Sequence, residues 1–175
     1  MMRTTVSDAG ATTEASGLAE LYLRFAPSAL RFAFFLTGDR EVARDLVQDA
    51  FVRVAGRFAH LRSLGGFEAY LRQTIVNLHT SRLRRLRTER AYVERERGRA
   101  SAGSAETDPL ERQRLWRALR ELPPRQRAAV VLRYYEDLSE VEAAEVLGCS
   151  PGALNQLVVR AMATLRTTLG DEDLR

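Results

Sequence analysis

The side chains best suited to a chemical task in this chain are arginines, and they are concentrated in one segment. Residues 71–100 contain nine arginines and three glutamates, a local charge of +6, whereas residues 1–70 are balanced and residues 101–175 carry −2. A guanidinium group binds phosphate through two parallel hydrogen bonds and stacks on bases, so the segment predicts a nucleic-acid interface. Lysine does not occur, which we attribute to a GC-rich coding bias, but the clustering needs its own explanation.

Residues that commonly carry catalysis or bind metals are few and scattered. Cys149 is the single cysteine, which excludes an internal disulfide and a multi-thiolate metal site. We interpret it as a small packed residue. His60 and His79 are far apart in the sequence and lack the spacing of metal ligands. With neither a glycine-rich phosphate loop nor a Ser/His/Asp set, the sequence predicts no enzymatic activity, no metal and no cofactor.

The hydropathy of the sequence indicates the cellular compartment in which the protein is expected. A hydrophobic content of 45% is typical of a folded chain. The apolar stretch at residues 30–36 contains Arg31 and is far shorter than the roughly 18 residues that a membrane span needs. Arg3 is not followed by the apolar region of a secretory signal. We therefore expect a cytoplasmic protein.

Helices are predicted throughout the N-terminal half. Residues 1–15 lack periodicity, which favours a disordered tail. From Ser16 apolar side chains recur at three- and four-residue steps, which predicts a helix up to Gly38 that starts, breaks or kinks at Pro27. Asp39 is the predicted cap of a second helix. The apolar stripe of that second helix consists of Val42, Leu46, Val47, Ala50, Phe51 and Val54.

The next segments predict a boundary between two domains. A long helix is expected from about residue 67 to about residue 97, followed by a linker at residues 98–108 that is rich in Gly, Ser, Ala and acidic residues. A further helix at residues 110–122 ends at two prolines, and Pro124 can begin the next one. The fold class is therefore all-α, with two small helical domains joined by a flexible linker and four helices in the C-terminal domain.

Local signals near the C-terminus predict a helix-turn-helix. Ser139 and Glu142 have the spacing of a capping box at the start of a short helix. Gly148 follows as a turn, and Ser150 caps a second helix that has Pro151 at its first position. Two short helices joined by a tight turn match the motif whose second helix enters the major groove of DNA. An ordinary helical hairpin is the alternative interpretation.

Five segments together carry a resemblance to a known family. They are Leu36–Arg40, Ala43–Phe51, Leu122–Arg127, Leu132–Ser139 and Ala143–Ser150. With them the chain resembles, over about residues 17–168, the extracytoplasmic-function (ECF) group of bacterial sigma factors. The resemblance implies an N-terminal domain at 16–97, a C-terminal domain at 109–169 and a tail at 170–175. It also implies core RNA polymerase and promoter DNA as partners, with an anti-sigma factor as a further candidate.

The resemblance also implies site residues in the N-terminal domain. The family's second helix docks on polymerase, which implies a polymerase-facing surface at Asp45, Gln48, Asp49 and Phe51. Its third helix helps to melt the minus-ten element and holds the exposed strand, which implies DNA contacts at Tyr70, Arg72, Asn77, Arg82 and Arg85. Basic grooves with aromatic side chains suit an opened strand, although Tyr70 can equally be interpreted as a core residue.

The second helix of the helix-turn-helix departs from the family. Its start commonly reads Gly-Thr-Val-Lys-Ser-Arg, whereas residues 152–157 here read Gly-Ala-Leu-Asn-Gln-Leu. The missing charges predict weaker phosphate contacts. Since Asn and Gln pair with adenine through two hydrogen bonds, we expect Asn155 and Gln156 to contact bases, or else to be merely solvated. The remaining predicted contacts of this domain with DNA are Arg133, Ser150 and Arg160.

The sequence therefore predicts a transcription initiation factor that binds core RNA polymerase and directs it to promoters. A stand-alone helix-turn-helix regulator is one alternative, and it would bind duplex DNA without polymerase. A sigma-like decoy with weakened promoter recognition is another, which the charge-poor residues 152–159 favour.

Overall fold

The computed structural model describes residues 8–56, 64–93 and 110–169, and every regular element within these ranges is helical. The N-terminal helices are α1 (Asp8–Thr37), α2 (Arg40–Ala55) and α3 (Leu64–Val93). The C-terminal helices are α4 (Leu110–Glu121), α5 (Pro124–Val130), α6 (Glu140–Leu147) and α7 (Pro151–Leu169), and a π-helical turn, Val131–Tyr135, continues α5. The predicted all-α class is confirmed.

Helix α1 is longer and more continuous than its sequence predicts. It begins at Asp8 rather than near Ser16, so it includes part of the segment expected to be disordered, and it passes through Pro27 without ending. A proline inside a helix removes one backbone hydrogen bond and crowds the carbonyl four residues earlier. Burial on both sides of the proline, at Phe25 and Ala29, offsets this cost.

The junction between α1 and α2 is formed by a glycine that ends α1 and an aspartate that caps α2. Gly38 adopts the left-handed conformation with φ +70°, and its N–H donates to the carbonyl of Phe34 at 2.8 Å. The Asp39 carboxylate then accepts from the backbone N–H groups of Glu41 and Val42 at 2.9 and 3.0 Å. The predicted helix stop and cap are confirmed.

Aromatic side chains hold α1, α2 and α3 together. The Phe67 ring on α3 lies 5.3 Å from the Phe25 ring of α1 and 6.1 Å from the Phe51 ring of α2. Tyr22 meets Phe51 edge-on at 4.8 Å. Burial of such large rings is the main stabilising contribution to a small helical core.

The ends of α3, α4 and α5 lie close to their predicted positions where they are described. Helix α3 begins at Leu64, and its predicted last residues and the predicted linker at 98–108 lie outside the described residues. Helix α4 ends at Glu121, and Pro124 occupies the first turn of α5. Since a proline needs no hydrogen-bond partner at that position, it begins a helix at low cost.

The π-helical turn after α5 was not predicted. The N–H of Glu136 donates to the carbonyl of Val131 at 3.0 Å, five residues earlier, instead of four. Asp137 follows in the left-handed conformation with φ 52°, and the N–H of Leu138 closes the turn on Leu132 at 3.1 Å. Short π-helical insertions frequently occur at functional sites.

The helix-turn-helix has the predicted caps. The N–H of Ser139 donates to the Glu142 carboxylate at 2.8 Å, and the N–H of Glu142 donates back to the Ser139 hydroxyl at 3.3 Å. Gly148 ends α6 with φ +58°, in the left-handed region that glycine favours. The Ser150 hydroxyl accepts from the N–H of Ala153 at 3.3 Å at the start of α7.

The N-terminal and C-terminal helices pack against each other. One buried apolar cluster extends from α1, α2 and α3 into α5, α6 and the first turn of α7. A smaller cluster joins α4, α5 and the end of α7. This direct packing between the halves was not expected from the predicted linker. Within the described ranges, none of the helices has the length and apolar character needed to cross a membrane.

Candidate nucleic-acid and polymerase interfaces

Helix α7 has a buried side and an exposed side that includes its first turns. Leu154 and Ala161 are fully buried, so they fix the side that faces the other helices. The exposed residues over the first three turns are Pro151, Gly152, Ala153, Asn155, Gln156, Val159 and Arg160. At about 100° per residue, Gln156 and Arg160 point within about 40° of each other, and Asn155 lies on the flank of that surface. This side of α7 can enter a DNA groove without unfolding the core.

Two predicted DNA contacts of the C-terminal half have structural tasks. The Ser150 hydroxyl caps α7 but is exposed. Arg133 is half-buried, and one of its guanidinium nitrogens donates to the Leu138 carbonyl. This bond connects the π-helical turn to the loop before α6. Arg133 therefore helps to fix the start of the helix-turn-helix relative to the preceding helix.

The predicted contacts for the minus-ten strand do not share one surface. Asn77 and Arg85 are exposed, and Tyr70 is half-buried against the apolar cluster. Arg82 pairs with Asp45 of α2 at 3.7 Å. Arg72 points to the opposite half of the molecule, where it pairs with Glu136. The structure therefore brings together only part of the predicted set on the outer side of α3.

The predicted polymerase surface on α2 needs one correction. Asp45, Gln48 and Asp49 are exposed, as expected for a docking surface. Phe51 is only 5% exposed, and its ring is packed against Tyr22 in the core. Its role is to hold α2 on α1, because a buried ring cannot contact polymerase.

A half-buried arginine between the halves, Arg127, was not identified from the sequence. One Arg127 nitrogen donates to the Leu36 carbonyl at the end of α1 at 2.6 Å. Another donates to the carbonyls of Arg120 and Leu122 at the end of α4, at 2.9 and 3.3 Å. The C-terminal end of a helix carries partial negative charge, so it binds a cation favourably. The bonded residues lie up to 91 positions apart, and hence no local pattern could predict them.

The same region shifts the pKa values of two basic groups. Burial, and then the positive charge of Arg120, lowers the pKa of Arg127 to about 10. Burial, and then the charges of Arg127 and Arg82, lowers the pKa of His79 to about 4. His79 on α3 is therefore neutral in the folded protein at neutral pH.

Comparisons with known proteins agree with the two halves of this fold. The family Sigma-70 region 2 matches residues 21–89, within α1–α3, and Sigma-70, region 4 matches residues 112–165, within α4–α7. The chain is 36% identical over 156 residues to the RNA polymerase sigma-E factor of Streptomyces avermitilis, covering 89% of this chain and 87% of that protein. It is 30% identical to the ECF RNA polymerase sigma factor EcfG of Rhodopseudomonas palustris, covering 84% and 83%.

A solved structure has the same fold. The sigma factor RpoE of Bartonella quintana, in complex with the anti-sigma factor NepR, matches with a TM-score of 0.74 and 24% identity, over 89% of this chain and 98% of that one. The chain therefore belongs to the RNA polymerase sigma factors, in the extracytoplasmic-function group. It is a transcription initiation factor that directs core RNA polymerase to promoters.

Proposed function

We propose that α7 recognises the minus-thirty-five element, that the outer side of α3 holds the melted minus-ten strand, and that α2 docks on core polymerase. The corresponding domains are residues 16–97 and 109–169, joined by a linker at 98–108. The protein works in the cytoplasm and performs no chemistry itself. The observation that carries the proposal is a fully capped helix-turn-helix whose second helix leaves its first turns exposed.

On α7, Asn155 and Gln156 are the base contacts and Arg160 is the phosphate contact. Amide side chains can form two hydrogen bonds to adenine, and such a pair contributes about 1–3 kcal/mol of discrimination against a wrong base. Because residues 152–157 at the start of α7 carry no charge, they contribute little to phosphate binding. The C-terminal half therefore binds duplex DNA weakly unless polymerase holds it in place.

On the N-terminal half, the acidic surface of α2 formed by Asp45, Gln48 and Asp49 docks on polymerase. On α3, Asn77 and Arg85 lie on the exposed side and contact the opened strand. Tyr70 is packed against the core and supports that side rather than stacking on a base. The exposed polar side chains on these two adjacent helices support contacts of this half with polymerase and with the opened strand.

Run-off transcription with core polymerase tests this proposal. The wild-type chain should start transcripts from specific genomic fragments. Asn155→Ala should lower the preference for the selected promoter over one with a changed minus-thirty-five element by about tenfold, within the range of one bidentate contact. Co-purification with polymerase should not change. Thr167→Ala, an exposed position further along α7, is the matched control and should leave promoter preference intact.

A sigma-like decoy is the second candidate, because residues 152–157 carry no charge. It is favoured if the protein co-purifies with polymerase but starts no transcript on any genomic fragment. Tight binding to bare duplex at physiological salt, without affinity for polymerase, would instead indicate a stand-alone regulator. An anti-sigma factor is a further candidate partner, since the similar sigma factor of Bartonella quintana was solved in complex with one.

A further inference from the structure

One large apolar side chain lies on the exposed side of α7. Val159 is 61% exposed, and among the large hydrophobic residues of Pro151–Leu169 it alone is exposed to this degree. Leu154 and Leu165 of the same helix are buried in the two apolar clusters. Single exposed apolar residues are common on protein surfaces, so the significance of Val159 depends on the side chains around it.

Val159 lies in the middle of the surface proposed to face DNA. It follows Asn155 by four residues and Gln156 by three, and these are the spacings at which side chains of a helix become neighbours. At about 100° per residue, Val159 points roughly 140° away from the buried Leu154. Its direction falls between those of Asn155 and Gln156. Val159 is therefore placed to contact whatever the two amide side chains contact.

Small residues flank Val159 along the same line of the helix. Gly152 precedes it by seven residues and Ala163 follows it by four, and both are exposed. A Cβ added at Gly152 would meet no other part of the protein within 4 Å, so packing gives no reason for a glycine at this position. Few side chains project from this surface, and a ligand can therefore approach the Val159 isopropyl group closely.

The uncharged character of the surface favours base edges as its ligand. Residues 152–159 contain no charged side chain. In the major groove the apolar group that a base edge presents is the C5-methyl group of thymine. An isopropyl group can bury its surface against that methyl group, whereas it gains nothing from a phosphate. A protein partner would require a contiguous apolar patch of a few hundred Å², which one valine does not provide.

We propose that Val159 recognises the C5-methyl group of a thymine in the minus-thirty-five element. The inference rests on the proposed function, because it adds an apolar base contact to the surface of α7 assigned to that element. A step of four residues along a helix is about 6 Å, and one base-pair step is about 3.4 Å. The thymine therefore lies within about two base pairs of the adenine contacted by Asn155. The two contacts together select A·T pairs.

Promoter fragments that contain deoxyuridine test the inference, because deoxyuridine pairs like thymidine and lacks only the methyl group. Holoenzyme formed from the full-length chain and core polymerase is bound to the promoter found by run-off transcription. Each thymine of the minus-thirty-five element, on either strand, is replaced in turn. We expect one replacement to lower the affinity by about fourfold, which corresponds to about 0.8 kcal/mol for one buried methyl group.

Two variants connect this loss to Val159. Val159→Ala should bind the thymine and deoxyuridine promoters equally. Because the position is exposed and alanine is the strongest helix former, this variant keeps the fold. Thr167→Ala, at an exposed position two turns further along α7, is the matched control and should retain the fourfold difference. A fourfold difference that persists in Val159→Ala overturns the inference.

The proposed function and the Val159 contact can fail separately. Without run-off transcripts, or with an Asn155→Ala variant of unchanged promoter preference, the proposed function is wrong and the Val159 contact is wrong with it. If Asn155→Ala changes the preference but deoxyuridine has no effect at any position, only the Val159 contact is wrong. A selected minus-thirty-five element made of G·C pairs alone also contradicts that contact.

Discussion

Protonation of His79 should destabilise the protein in mild acid, and the size of the effect follows from its burial. The side chain is 6% exposed, and its pKa falls from the ordinary 6.5 to about 4. Because burial disfavours protonation of the His79 imidazole in the folded state, the unfolded state binds more protons between these two pH values. The contribution of the neutral His79 to the free energy of unfolding is therefore present above pH 6.5 and is lost as the pH falls toward 4.

The magnitude follows from the linkage between pKa and stability. Each pKa unit corresponds to about 1.4 kcal/mol, so a shift of this size is equivalent to about 3 kcal/mol of unfolding free energy over the whole range. By pH 5 the loss should already be about 2 kcal/mol. This is a large fraction of the 5–15 kcal/mol that is typical of small proteins.

Urea unfolding followed by circular dichroism at pH 7, 6 and 5 measures this loss. Carboxylates also titrate there, so the informative quantity is the difference between the wild type and His79→Gln, which should change by about 2 kcal/mol over this range. Asn77→Gln, at an exposed position of the same helix, is the control and should follow the wild type. A difference that does not vary with pH, or an NMR titration of His79 near 6.5, would refute the assignment of a buried neutral imidazole.

Two further predictions concern the helix-turn-helix, and both are measured as the unfolding free energy in urea. Ser139→Ala removes the capping box and should cost about 1 kcal/mol. Glu140→Ala, next to the cap but outside the box, should cost much less, and equal losses would contradict a capping role. Leu154→Ala leaves a cavity at a fully buried position and should cost about 3 kcal/mol. Leu157→Ala, half-buried on the same helix, should cost less, and the reverse order would show that α7 is rotated from its described orientation.

Features set by neighbouring residues could be predicted from the sequence. Asp39, Ser139 and Gly148 act on backbone groups within a few positions, so side-chain type alone determines a cap or a turn. The apolar stripe of α2 also indicated that Phe51 is buried. The family resemblance placed it on the polymerase surface instead, and in this case the periodicity was the better guide.

Features set by distant residues could not be predicted. Pro27 remains inside α1 because the packing of three helices outweighs a local penalty. Arg72 and Glu136 lie 64 positions apart. Around Glu136 the sequence predicts the end of a helix, and it gives no signal for an ion pair. Neither composition nor periodicity predicts which arginine of a basic segment packs against the other half of the protein.

The π-helical turn sets the rotational phase of the residues that come after it. One additional residue in a helix turns every later position by about 100° around the axis. In Val131–Tyr135 that additional residue aims Glu136 at α3 while α5 keeps its own buried side. A chain of this family one residue shorter here would retain the caps and the core of its helix-turn-helix, but its carboxylate would point elsewhere. The length of one turn thus decides whether this carboxylate can reach Arg72 of α3, where the two form an ion pair at 2.6 Å.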